Sequence, residues 1–252
     1  MATRSPRASL TAYVLHRYDW SESSVILDLF TREQGRLAVV AKGAKKPYSN
    51  FRGVLLPFQR VHVSLSGAAA KDESTQSEVQ NLRGAEWAGG AAMLTGAALF
   101  SGFYLNELLM KLLARHDPHA VLFDVYAATL PELASNDETR VQAALRGFEL
   151  TLLQQTGLLP DLSLVTLTQA PVHAERRYGL LPEAGIVIEG EIAGDALIGL
   201  QAALLHGSVT ALQQACRAAL PELKSALRGM IQHHLGSSTL RTRRVMMDLQ
   251  NL

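Results

Sequence analysis

Cysteine is nearly absent from this chain: Cys216 is the only one in 252 residues. A single thiol cannot close an internal disulfide, and it cannot assemble a cysteine zinc site. Secreted disulfide scaffolds are thereby excluded, and a cytoplasmic location is expected. Aromatic residues are sparse at 6%, and the net charge is only +1. Taken whole, that balance argues against a strongly basic nucleic-acid binder. Hydrophobic residues still make up 48% and charged residues 19%. Such a chain is too apolar to be disordered and long enough for one large or two modest domains.

Signatures of catalysis are missing as well. Gly84 and Gly89 have the spacing of G-x-x-x-x-G-K-S/T, but Gly90 stands where the lysine belongs. There is no G-x-S-x-G, H-E-x-x-H or G-x-G-x-x-G. His116 and His119 flank Asp117-Pro118, which reads as a helix start rather than a metal pair. His233 and His234 point to different sides of a helix. Glu189 and Glu191 fit a solvated edge, and Cys216 fits an inert buried thiol. No enzyme, metal or cofactor is called for.

One charge-free run, Trp87–Asn106, could be mistaken for a membrane span. About twenty such residues can span a bilayer, but the centre here is Thr95-Gly96-Ala97-Ala98, too weakly apolar for insertion. A buried helix of a soluble domain is expected, with no membrane association. Met1–Ser9 carries Arg4, Pro6 and Arg7 with no apolar stretch behind them, so no signal peptide is expected.

What is present is periodic. Thr11–His16, Ser24–Thr31, Gly35–Lys42, Val61–Ser66 and Glu78–Arg83 read as short strands. Val61, Val63 and Leu65 alternate with His62, Ser64 and Ser66, as in a strand with one buried face. Ser24–Phe30 is apolar on both faces, and Thr31–Gly35 is a hairpin turn with Gly35 suited to positive φ. Five short strands suggest a small barrel. Gly67–Ser77 reads as a polar hairpin tip. From Ala85 the period becomes helical: Leu105, Leu108, Leu109 and Leu112 form a stripe. Asp117-Pro118 is expected to cap a second helix, and Ser135 with Glu138 a third that Gly157 and Pro160 stop. Residues 161–194 look irregular, with one hairpin around Gly185–Ile188. Helices are expected again at Ala196–Leu205 and Pro221–Leu235, closed by Gly236.

Charge is segregated along the chain. Residues 1–83 carry +5, residues 84–214 carry −8 and residues 215–252 carry +4. The near-neutral total is a cancellation of unlike parts. Within Lys42–Gly53, four cations (Lys42, Lys45, Lys46, Arg52) stand beside Tyr48 and Phe51. Cations follow a phosphate backbone, and an aromatic face can stack on an unpaired base. Phe51 reads rather as a plug for the barrel end. Arg241, Arg243 and Arg244 form a second basic cluster, which could bind phosphates or pair with the acidic middle segment.

A series of short stretches runs along the chain: Ala12-Tyr-Val-Leu-His-Arg17 with Ser21-Glu22-Ser-Ser, Gly35-Arg36, Ala41-Lys42-Gly43-Ala44 and Phe51-Arg52-Gly53-x-Leu55-x-Pro57-Phe58. The order continues with Leu82-x-x-Ala85-Glu86, Tyr104-Leu105-x-Glu107-Leu108, His116-Asp117-Pro118, Phe123-x-x-Tyr126 and Phe148-Glu149-x-x-Leu152-Leu153. Gly157-x-x-Pro160-Asp161-Leu162 and Leu235-Gly236-x-x-x-Leu240-Arg241-x-Arg243-Arg244 complete it. In this order the stretches resemble the bacterial RecO family of recombination mediators.

The resemblance implies an α+β protein. A five-stranded OB-fold barrel would occupy residues 1–83. A mainly α-helical domain would follow over 84–252, with the irregular insert at about 161–194 and the basic C-terminal segment. It implies a non-enzymatic mediator of DNA repair, associated with the bacterial nucleoid. Such a protein binds single- and double-stranded DNA, anneals complementary strands, and with RecR helps load RecA on DNA coated by single-strand-binding protein (SSB). On that basis the DNA-contact candidates are Arg17, Arg36, Lys42, Lys45, Lys46, Tyr48, Arg52, Arg60, Arg241, Arg243 and Arg244. The acidic, apolar SSB tail would need cations such as Arg115, Arg140 or Arg146, beside an apolar groove between helices. Many family members carry a cysteine zinc site after Pro-Asp-Leu; here Asp161–Gly190 has no cysteine. Two other readings stay open. One is an OB-fold interaction adaptor whose DNA affinity is incidental. The other is a hydrolase or transferase with an unrecognised site in residues 161–194.

Overall fold

The computed structural model describes residues 9–66, 79–90, 93–236, 240–242 and 244–245. The expected hairpin tip at Gly67–Ser77 lies outside these. The fold has two compact units, Met1–Asp124 and Val125–Leu252.

The first unit is built on five strands: β1 (Ser9–Asp19), β2 (Val25–Thr31), β3 (Gly35–Ala41), β4 (Arg60–Ser66) and β5 (Val79–Trp87). They close as β1-β2-β3-β5-β4, with β4 returning to β1. Only the β3–β5 pair is parallel. This is the closed five-stranded barrel of an OB fold. Alternation explains the interior: Val14, Leu27, Leu29, Leu37, Val39, Val61 and Val63 all point inward and are buried. Phe51 packs against this core from outside the strands, as a plug should. β2 is apolar on both faces because its outer face is covered too. Phe30, fully buried, meets Phe123 with ring centroids 5.4 Å apart, and Phe123 meets Tyr13 at 5.3 Å.

β1 bulges between Val14 and His16. A bulge leaves a strand group without its ladder partner. The Leu15 carbonyl instead accepts the side-chain N–H of buried Asn106 at 3.0 Å. Asn106 belongs to α1 (Gly96–Leu112), whose buried residues include Leu105, Leu108 and Leu109 of the expected stripe. The charge-free run is not buried throughout. Met93, Thr95, Gly96 and Ala97 are exposed although Leu94 among them is buried, and within α1 the first buried residue is Gly102. No helix among the described residues is long and apolar enough to cross a membrane.

The β2–β3 turn forms as expected. Gly35 takes φ +69°, and the Thr31 hydroxyl donates to its carbonyl at 2.8 Å. The helix start at Asp117-Pro118 requires correction. α2 (Ala120–Leu133) begins later, with the His119 carbonyl accepting from Phe123 N–H at 2.9 Å. Residues before it turn against β3: Arg115 bridges Arg36, and His116, at φ +59°, donates its N–H to the Arg36 carbonyl at 3.0 Å. Pairing with the barrel thus takes the backbone that a cap would have needed.

The second unit centres on α3 (Glu138–Gln155), buried continuously from Ala143 to Leu153. Its cap is Asp137, not Ser135: the Asp137 carboxylate accepts from Thr139 and Arg140 N–H at 2.9 and 3.4 Å. α5 (Val209–Cys216) and α6 (Leu220–His234) pack against it, α4 (Gly194–His206) packs against α5, and a short 3-10 turn (Arg217–Ala219) joins α5 to α6. Gly236, at φ +67°, ends this last helix as expected. Cys216 is fully buried, and burial pushes its thiol up to about 12, so it is unreactive.

Residues 161–194 are more ordered than their composition suggests. The expected hairpin is β6 (Arg177–Leu181) with β7 (Gly185–Ile188), extended by β8 (Ile192–Ala193) into a sheet of order β7-β6-β8. Leu162, Val165, Val172, Tyr178, Leu180, Ile186 and Ile192 are the buried large apolar side chains of this region. Thr166 clips the sheet at both groups of Ile186: its N–H donates to the Ile186 carbonyl at 3.0 Å. Its hydroxyl accepts from Ile186 N–H at 2.8 Å. The Tyr178 hydroxyl accepts from His173 N–H at 2.9 Å, so this buried phenol is satisfied.

Candidate nucleic-acid interface

Three pieces of chain meet at one end of the barrel: the last residues of β1, the turn Trp20–Ser24, and the turn-rich segment Lys42–Gln59. They are tied by hydrogen bonds. Lys45 N–H donates to the Ser23 carbonyl at 3.0 Å, and Gly43 N–H donates to the Ser24 hydroxyl at 3.4 Å. Within the turn, Trp20 and Ser21 N–H both reach the Ser24 carbonyl at 3.3 Å. Arg17, Lys42, Lys46, Tyr48 and Arg52 are all exposed here, and Tyr48 is 99% exposed. Arg17 stands opposite Leu27 on β2, two residues before the turn.

Not every sequence candidate joins them. Lys45 is bound inward: its ammonium contacts the Asp19 carboxylate at 2.8 Å and donates to the Ser21 carbonyl at 3.0 Å. That hydrogen bond holds the Asp19 carboxyl below the usual carboxylate range. Arg36 is 13% exposed and packs inside the unit. Its guanidinium contacts Asp28 at 3.1 Å and donates to the carbonyls of Met110 and Leu113 at the end of α1. Burial pushes the Asp28 carboxyl upward against the opposing pull of Arg36, Arg115 and His16. Arg60 is exposed but lies at the junction of β4 with residues 87–90, where its Nε–H donates to the Ala88 carbonyl at 3.2 Å.

Arg241 and Arg244 are exposed on a short helical turn of the second unit, and Arg243 lies outside the described residues. Each of the three arginines expected to meet an acidic tail already faces a carboxylate. Arg115, in the first unit, faces Asp28 at 3.8 Å. Arg140 forks onto Glu132 at 2.9 and 3.0 Å. Arg146 is buried against Glu149 at 2.8 Å. Arg140 and Arg146 sit six residues apart on α3, on different sides of that helix.

An apolar groove does exist in the second unit, though between the β6–β7 hairpin and α6 rather than between helices. Leu180, Leu181 and Val187 form its floor. Glu189, Glu191 and Glu222 line it and no lysine or arginine does, so its sign opposes a phosphate or an acidic peptide. A cysteine zinc site does not fit residues 161–194. No cysteine is present there, and no group of three His, Cys, Asp or Glu converges among the described residues.

One residue at the barrel end escaped the sequence reading. Trp20 is 65% exposed, in a polar turn between Asp19 and Ser21. The signal was a tryptophan within Asp19-Trp-Ser-Glu-Ser-Ser24, where no neighbouring apolar residue offers it a core to join.

Family models described as "Recombination protein O N terminal" and "Recombination protein O C terminal" match residues 6–84 and 93–244. Curated relatives named DNA repair protein RecO align over nearly the whole chain. The one from Polaromonas naphthalenivorans is 52% identical over 247 residues, 96% of each chain. That from Verminephrobacter eiseniae is 49% identical over 258 residues, and that from Delftia acidovorans 48% over 265, each covering 100% of both chains. With its N-terminal OB barrel and following helical region, the chain belongs to the RecO family of DNA repair proteins.

Proposed function

We propose that the chain is a non-enzymatic recombination mediator. It binds single- and double-stranded DNA through the barrel, anneals complementary strands, and works with RecR to load RecA on SSB-coated DNA. The observation that carries this reading is the group of exposed cations, Arg17, Lys42, Lys46 and Arg52, beside exposed Tyr48 and Trp20 at one barrel end. Cations there displace counterions from phosphates, and the aromatic faces suit unpaired bases. Annealing needs no reacting side chain: it needs two strands held together by their backbones with bases free to pair.

The test is annealing of SSB-coated complementary oligonucleotides across a salt series. Acceleration over the protein-free reaction, falling steeply with salt, is expected. Charge reversal at Lys42, Lys46 and Arg52 should abolish most of it and flatten the salt dependence. An unchanged rate in that triple variant would overturn the barrel-end assignment. No acceleration by the wild type at low salt would overturn the mediator reading in favour of a protein-interaction adaptor.

A further inference from the structure

We infer that Trp20 is the base-stacking platform of this interface and that Lys45 is its positioning residue, holding the turn rather than meeting a phosphate. This rests on the DNA-binding reading above. Three observations carry it.

Trp20 is 65% exposed, and among the described residues no hydrogen bond or ring contact engages its indole side chain. Trp87, the other tryptophan, is equally exposed, but its Nε1–H reaches the Gln59 side chain at 3.4 Å. Large flat side chains carry most of their binding capacity in their faces, and water is a poor partner for them. An aromatic face in a cationic groove accepts any unpaired base.

The turn bearing Trp20 is built to hold still. Lys45 grips it on both sides of the indole through Asp19 and the Ser21 carbonyl, while its own N–H pins Ser23. The Ser21 hydroxyl accepts from Ser24 N–H at 3.2 Å. Preorganised in this way, a stacking ring loses little freedom on binding.

The balance of charge around the ring favours DNA as well, exposed Glu22 being outnumbered by exposed Arg17, Lys42 and Lys46. Asp19 would repel a phosphate, but Lys45 neutralises it at 2.8 Å. Lys42 and Lys46, on either side of Lys45 in sequence, remain exposed to follow the backbone.

Because the chain has two tryptophans, each can be read alone. The experiment titrates full-length W87F and W20F with a single-stranded oligodeoxythymidylate, following tryptophan emission and the anisotropy of a labelled oligonucleotide together. Emission should be quenched in W87F, which retains Trp20, and unchanged in W20F. Trp20→Ala should weaken single-strand binding roughly 5- to 150-fold while leaving duplex affinity and the slope of log K against log salt unchanged. Trp20→Phe, which keeps a smaller ring, should fall between. In the W87F background, Lys45→Met should lose the quenching and Lys45→Arg should retain it.

Binding seen by anisotropy without any change in Trp20 emission would overturn the stacking role and leave DNA binding intact. Full quenching and affinity in Lys45→Met would overturn the positioning role. An absence of binding in the wild type at low salt would overturn the underlying reading itself.

Discussion

Replacing Gly35 by alanine tests whether the β2–β3 turn is locked against the segment before α2. Gly43 provides the control, since both glycines hold left-handed backbone, at φ +69° and +73°. Alanine in that region costs about 1–2 kcal/mol of strain. A stiffer unfolded chain returns about 0.4–1 kcal/mol of it. The surroundings differ sharply. A Cβ at Gly43 would meet only the flexible Lys46 side chain, no closer than 3.7 Å. A Cβ at Gly35 would overlap the backbone carbonyl of Asp117, which has no rotamer to escape into. Residues 115–117 would have to retreat. That withdraws the His116 N–H from the Arg36 carbonyl, a bond of 3.0 Å worth about 1 kcal/mol. It also disturbs the Arg36 guanidinium, whose charged hydrogen bonds are worth about 1.5–3 kcal/mol each. Gly35→Ala should therefore lose roughly 2–4 kcal/mol more than Gly43→Ala. Urea unfolding followed by tryptophan emission is the right assay, because Trp20 and Trp87 both belong to the first unit and report on its unfolding. Losses agreeing within about 0.5 kcal/mol would refute the lock.

Arg36→Met strands the Asp28 carboxylate in the interior, at a cost of about 3–5 kcal/mol near neutral pH. Asp28 already titrates above its ordinary value because it is buried. Protonation therefore favours the fold, and that contribution is lost as pH rises through the folded pKa. Removing Arg36 raises the folded value further, so the deficit against wild type should be largest near pH ~7 and shrink towards pH ~4.5. A deficit constant with pH in urea titrations would reject the charge argument. Asp137→Ala should cost about 1 kcal/mol and lower the melting midpoint of the helical circular-dichroism signal, whereas Ser135→Ala should stay within about 0.5 kcal/mol. Equal effects would reject Asp137 as the cap of α3.

The strands were legible because a half-buried strand writes its face into sequence every second residue, as Val61, Val63 and Leu65 do. The doubly apolar Ser24–Phe30 run also signalled correctly that both faces of β2 are covered. The ends were less legible. β1 runs on to Asp19 and β5 to Trp87 because their partners Val25 and Val61 supply hydrogen bonds. No local composition encodes that pairing. The caps failed for two different reasons. Ser135-Asn-Asp137 offers three good capping residues in a row, and only the backbone path selects Asp137. Asp117-Pro118 carries a true start signal that a non-local bridge to Arg36 overrides.

The candidate site divides along the same line between local and non-local information. A lysine or arginine in a polar stretch looks available to a phosphate, yet availability depends on whether an anion elsewhere has already claimed it. Asp28 was the legible clue for Arg36: an acid between Leu27 and Leu29, on a strand apolar on both faces, demands a buried cation. No such clue exists for Lys45, because Asp19 is an ordinary exposed acid at the end of β1, and the 2.8 Å contact depends on how that strand end and the basic loop fold together. The distinction matters for function, since counterion release counts only cations that a phosphate can reach. Arg36 and Lys45 count towards the +5 of the barrel segment, but their charges already face Asp28 and Asp19. They serve instead to fix α1 against the barrel and the Trp20 turn against the basic loop. The net charge of the segment therefore exceeds the charge left exposed at the barrel end on Arg17, Lys42, Lys46 and Arg52.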